Sequence, residues 1–177
     1  MAKETNELRL SDDRLFPADQ NVRPIARRLY DGVRRLPIVS PHGHTDPEWF
    51  AEDKPFTDPV SLLVTPDHYV FRMLYSQGIA LEALSGEPRD AWRLFAENYH
   101  LFRGTPTRMW LDQVFHDVFG LRERLGPASA DRYFDAIDSA LKLPEFRPRA
   151  LFDRFGIEVL ATTDCPSEPL RHHERLR

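Results

Sequence analysis

The sequence predicts an α/β protein, and three observations carry that reading. Two short apolar runs, Leu36-Pro37-Ile38-Val39-Ser40 and Ile157-Glu158-Val159-Leu160-Ala161-Thr162, are rich in β-branched residues and bounded by turn formers, as buried strands are. Each run leads straight into polar residues: His42 and His44 after the first, Thr163, Asp164 and Cys165 after the second. Between them the chain from residue 57 to about 155 reads as almost all helix. Parallel strands joined through helices place their chemistry at the strands' carboxyl ends, in a barrel or an open sheet.

The elements follow in order. Val22, Ile25, Ala26, Leu29, Tyr30 and Val33 form an apolar stripe at helical spacing, so a helix over 22–33 precedes the first strand. Asp46-Pro47 then combines an N-cap residue with proline in the first helical position. Asp58-Pro59 and Thr65-Pro66 repeat that start signal, the second opening a helix that Gly78 can end. Trp92, Phe95, Tyr99 and Phe102 make 89–103 amphipathic; Trp110, Val114 and Phe115 mark a further helix, and Tyr133, Ile137 and Leu141 another. Pro148 to Phe155 is a last helix before the second strand, stopped by Gly156. The chain ends at RHHERLR in mid-helix and reads as cut short, because two strands are too few for a barrel, which needs eight strands and about 250 residues.

Composition excludes several classes. A net charge of −4 gives no basic footprint for nucleic acid and no polybasic membrane patch. The first residues, MAKETNELRLSDDR, lack the apolar core of a signal peptide, and no run approaches the length of a membrane span. One cysteine, Cys165, cannot build an intrachain disulfide framework and suits a reducing, cytoplasmic setting.

Residues i and i+2 of an extended segment point to the same face, so His42 and His44 could grip one divalent cation at about 2.0–2.1 Å each. Gly43 adds no side chain between them, and Asp46 could accept a hydrogen bond behind them. The competing reading is a pair of solvated loop histidines, since an H-x-H arises easily by chance; position at a strand end brings the metal reading level with it. In the stretch opened by Thr65-Pro66-Asp67, His68, Tyr69 and Arg72 share one helix face at spacings of three and four. Arg72 could hold a carboxylate bidentately while Tyr69 and His68 exchange protons. The plainer alternative packs Tyr69, Phe71 and Met73 inward and leaves His68 and Arg72 to water. Asp164 is placed for catalysis or for capping a turn. His100 and His116 lie beside aromatics on helix faces, and His172 and His173 sit too near the terminus to assign.

Taken together, LPIVSPHGHTDPEWFAED, PDHYVFRMLYSQGI and FGIEVLATTDCP followed by two histidines resemble the uronate isomerases (glucuronate isomerases) of the amidohydrolase superfamily. The likeness runs from about residue 20 to the last residue. It implies the first part of a distorted (β/α)8 barrel, with an N-terminal helix and strand carrying the histidine pair (1–56), a helical insertion (57–147) and a helix–strand unit (148–177). It further implies interconversion of D-glucuronate with D-fructuronate and of D-galacturonate with D-tagaturonate. His42 and His44 match the metal ligands of the family's first strand, with zinc the expected ion. Tyr69 and His68 match catalytic positions, Arg72 and Asp164 substrate-binding ones, and Thr163 precedes Asp164 in the motif that ends the second strand. A small uronate sugar is the implied partner, not nucleic acid or membrane, and a homo-oligomer stays open. Asp112 departs from the family, which often has histidine there, and Cys165 stands where an acidic residue is common. The chain by itself is expected to be inactive, for want of later strands. Two rivals stand beside this reading: a metal-dependent amidohydrolase-type hydrolase and a non-catalytic helical binding module.

Overall fold

The computed structural model describes residues 6–165, 167 and 169–177. The described residues form two compact units, 6–11 with 56–142 and 12–55 with the described part of 143–177.

The first unit is helical and holds the large hydrophobic core. Helix α3 (Pro59–Leu63) starts at Asp58, whose carboxylate accepts from Val60 N at 2.8 Å and Ser61 N at 2.9 Å. Helix α4 (His68–Ser76) buries Val70 and Leu74. Its cap is Asp67, which accepts from Tyr69 N at 2.8 Å, rather than Thr65. The Thr65 hydroxyl instead donates to Val60 O, so it finishes α3. Gly78, at φ +85°, closes α4 as expected.

Helix α5 (Pro88–Glu97) turns Ala91, Trp92, Phe95 and Ala96 inward at spacings of one, three and four, and they are fully shielded. The expected single helix over 89–103 breaks at Asn98, whose side chain donates to Leu94 O at 2.9 Å, and a 3-10 turn over Tyr99–Phe102 follows. Helix α6 (Pro106–Gln113) runs into one π-helical turn over Val114–Val118, and helix α7 (Ala130–Leu141) buries Tyr133, Phe134, Ile137 and Leu141. Trp92, Phe95, Tyr99, Phe115 and Tyr133 pack edge to face or tilted, with Phe115 and Tyr133 centroids 5.1 Å apart. Trp92 also donates its indole N–H to Ala130 O at 2.9 Å, so the largest buried side chain leaves no polar atom unpaired.

The second unit contains both strands. Helix α1 (Val22–Val33) leads to β1 (Ile38–Ser40), and β1 pairs in parallel with β2 (Ile157–Leu160), Val39 opposite Val159 and Ser40 opposite Leu160. Helix α2 (Pro47–Glu52) begins at the Asp46 cap, and α8 (Pro148–Arg154) ends at Gly156, φ +62°. Arg149 ties α8 to α2 by donating its backbone N–H to Asp53 Oδ1 at 3.0 Å and Nε–H to Phe50 O at 2.8 Å. Helix α9 (Arg171–Leu176) packs on α2, where Arg175 forms an ion pair with Glu52.

Burial corrects one expectation. Both strands read as buried, yet Ile38, Val39 and Val159 are about half exposed or more, and the stripe of α1 is open as well, with Leu29 at 70%. A strand residue is shielded by layers on its face as well as by neighbouring strands. Two strands with short helices supply neither in full.

Candidate active site

The end of β1 sets the histidine pair. After Ser40 the chain stays extended enough for both rings to fall on the same side: Nε2 of His42 and Nε2 of His44 face each other at 3.1 Å, with ring centroids 4.9 Å apart and planes at 83°. Two nitrogens bound at 2.0–2.1 Å to one tetrahedral ion lie about 3.3 Å apart, so the spacing fits a shared metal. Both rings would present Nε2 lone pairs, each with its proton on Nδ1.

Gly43 is necessary to this geometry for a reason beyond an uncrowded site. A Cβ there would lie 3.0 Å from Ala161 O, tighter than ordinary contact, so that backbone carbonyl would have to yield by a few tenths of an ångström. The loop after β1 is thus pressed against the end of β2, and Thr163 Oγ1 donates to Gly43 O at 2.8 Å. The Ser40 hydroxyl donates to His42 O at 3.0 Å. Asp46 caps α2, its Oδ1 accepting from Glu48 N at 2.8 Å.

The end of β2 sets Asp164. Its Oδ2 accepts from the Thr162 hydroxyl at 2.6 Å, and the same hydroxyl lies 2.8 Å from Nε2 of His173. A polar recess of about 730 Å³ is lined here by His44, Asp46, Glu48, Asp164, His172 and His173 among others. The structure therefore brings the histidine pair and Asp164 to neighbouring strand ends of one unit. Cys165 is an exposed thiol 3.0 Å from the Ser167 hydroxyl; Pro166 of the same motif lies outside the described residues.

In the helical unit, α4 presents Tyr69 and Arg72 to a groove of about 620 Å³ whose other walls include Met73, Phe102, Thr105 and Trp110. The plainer alternative holds in part: Phe71 and Met73 pack on the core beside the buried Val70 and Leu74, and His68 and Arg72 are exposed, whereas Tyr69, 61% exposed, does not pack inward. His68 is not on the groove wall: its ring lies against Tyr69, centroids 4.2 Å apart.

Asp112 belongs to the scaffold. It accepts from the Tyr99 hydroxyl at 2.9 Å and from Arg108 Nε–H at 2.9 Å, while the Arg108 guanidinium stacks 4.0 Å over the Tyr99 ring. Burial, reinforced by the Asp112 carboxylate, pushes the Tyr99 hydroxyl well above the usual tyrosine range. His100 and His116 make local bonds to Glu97 O and Asp117.

Sequence reasoning missed Thr162 and His173. The available signal was two histidines on the helix directly after a strand that ends in Thr-Thr-Asp, since in a βα unit that helix folds back beside the strand end. Among the described residues no third His, Cys, Asp or Glu completes a metal-binding group around the pair. His42 and His44 fit two ligands of a larger set. No helix among the described residues is long and apolar enough to cross a membrane.

Comparison with known proteins gives a consistent set of relatives. The sequence profile of glucuronate isomerase matches residues 18–177. A uronate isomerase of Rhizorhabdus wittichii is 66% identical over 174 residues, spanning 96% of this chain and 37% of the relative. One from Phenylobacterium zucineum is 58% identical and spans 98% and 38%. The crystal structure of glucuronate isomerase from Caulobacter crescentus superposes with a TM-score of 0.93 at 55% identity, over 96% of this chain and 37% of that one. A uronate isomerase structure from Thermotoga maritima gives 0.79 at 30% identity, over 86% and 34%. The chain thus spans well under half the length of the relatives it matches.

Proposed function

The chain belongs to the glucuronate isomerase family, and from that premise we propose that it carries part of the active site of a uronate isomerase. The reaction is interconversion of aldose and ketose uronates, D-glucuronate with D-fructuronate and D-galacturonate with D-tagaturonate. In this reading β1 and β2 are the first strands of a distorted (β/α)8 barrel of the amidohydrolase type, and the enzyme works in the cytoplasm on a small sugar.

Isomerisation removes a proton from C2 and delivers one to C1, through an enediol that needs its negative charge spread. His42 and His44 would hold a divalent cation, zinc in this reading, and the chemistry such an ion supplies when bound is polarisation of a carbonyl oxygen. Tyr69 exchanges the proton, with the His68 ring against it fixing the orientation of the phenol. Arg72 takes the sugar carboxylate bidentately. Asp164 accepts from a sugar hydroxyl.

The observation that supports this most is the 3.1 Å separation of the two imidazole nitrogens at the end of β1. In the intact enzyme, His42→Ala combined with His44→Ala should abolish stoichiometric zinc and lower kcat/KM for D-glucuronate by roughly a hundredfold or more. Metal analysis and a coupled uronate assay check both. Unchanged turnover with unchanged metal content would sink the proposal.

A further inference from the structure

Three polar atoms at the end of β2 impose a direction on one another. Thr162 Oγ1 lies 2.6 Å from Asp164 Oδ2 and 2.8 Å from His173 Nε2. A carboxylate only accepts, and a hydroxyl has one proton to give. That proton goes to Asp164, so the hydroxyl oxygen accepts from His173, whose Nε2 must carry the hydrogen. His173 Nε2 is 3.6 Å from the same Asp164 oxygen, too far for a good direct bond, which leaves the threonine as the bridge.

From this geometry we propose that His173 is a positioning residue for Asp164, acting through the Thr162 hydroxyl, with the hydrogen of its ring held on Nε2. Every member of the chain is held from outside it. Thr162 is β-branched and stiff about χ1, and it follows Ala161, whose N–H donates to Ser40 O at 2.9 Å. His173 rides on α9, which the Arg175–Glu52 ion pair fastens to α2. The bonds therefore fix one oxygen of Asp164 and leave the carboxylate aimed rather than rotating. The inference rests on the reading of Asp164 as a substrate-binding group, in which an aimed carboxylate binds the sugar without first losing rotational freedom.

The test has two arms. Nitrogen-15 NMR of the imidazoles in the intact enzyme at pH 8.5 should find the His173 proton on Nε2. Thr162→Ser should keep it there, and Thr162→Val, isosteric but without the hydroxyl, should spread it over both nitrogens. In the intact enzyme, Thr162→Val should raise KM for D-glucuronate roughly tenfold while kcat changes less than about threefold, and Thr162→Ser should restore KM. A proton on Nδ1 in the native enzyme, nitrogen signals indifferent to Thr162→Val, or a valine variant with native KM overturns the proposal. If the intact enzyme does not isomerise uronates at all, the functional reading fails, and the nitrogen signals still decide the hydrogen-bond chain.

Discussion

Gly43 shows how much of this site depends on a missing side chain. Its backbone is not in the left-handed region, so what opposes alanine is the Ala161 carbonyl, 3.0 Å from where Cβ would stand. Gly43→Ala should cost about 1–3 kcal/mol, as overpacking against a fixed neighbour does, and should weaken zinc binding by separating the two loops. Urea denaturation and zinc titration check the two effects. The histidines themselves were legible, because i and i+2 in an extended chain share a face; the glycine's partner was not, because nothing in residues 38–47 names residue 161. Asp112 teaches the reverse lesson. It stood out in the sequence as a departure from the family, and the structure shows it paired with Arg108 and Tyr99 inside the helical scaffold.

Secondary-structure elements were legible wherever a local signal fixes their start. Asp46-Pro47 and Asp58-Pro59 are each a cap followed by a proline at the first helical position. Thr65-Pro66 looked the same and misled by two residues, because the Thr65 hydroxyl is used by the preceding helix and Asp67 caps the next. What no periodicity reveals is the docking of α9, which depends on a charge pair 123 residues apart in sequence. Hydrogen bonds from Arg175 and Lys54 hold the Glu52 carboxyl below its usual 4.5. A carboxyl lowered by folding adds stability that is complete above 4.5 and is lost as pH falls through the lower folded value. Native protein should therefore lose Tm more steeply below pH 4.5 than Glu52→Gln, and the variant should be the less stable of the two at pH 7. Thermal melts across pH 3–7 would show parallel curves if the pair contributes nothing.

For the molecule as a whole, class and element order could be read from the pattern, whereas burial could not. An apolar strand announces that something covers it, without saying what, and Val39 remains 60% exposed. The chain spans 37% of a relative such as the Rhizorhabdus wittichii protein, and its described residues assemble no third ligand around the histidine pair. The contact between Gly43 and the end of β2 has a consequence for how such an enzyme would respond to its ligands. In the proposed reading one loop would carry the ion's nitrogens and the other Asp164 for a sugar hydroxyl, and Thr163, donating to Gly43 O, ties the two together. Loading either loop then biases its neighbour, and thermodynamic reciprocity requires that whatever factor the sugar contributes to ion affinity, the ion returns to the sugar.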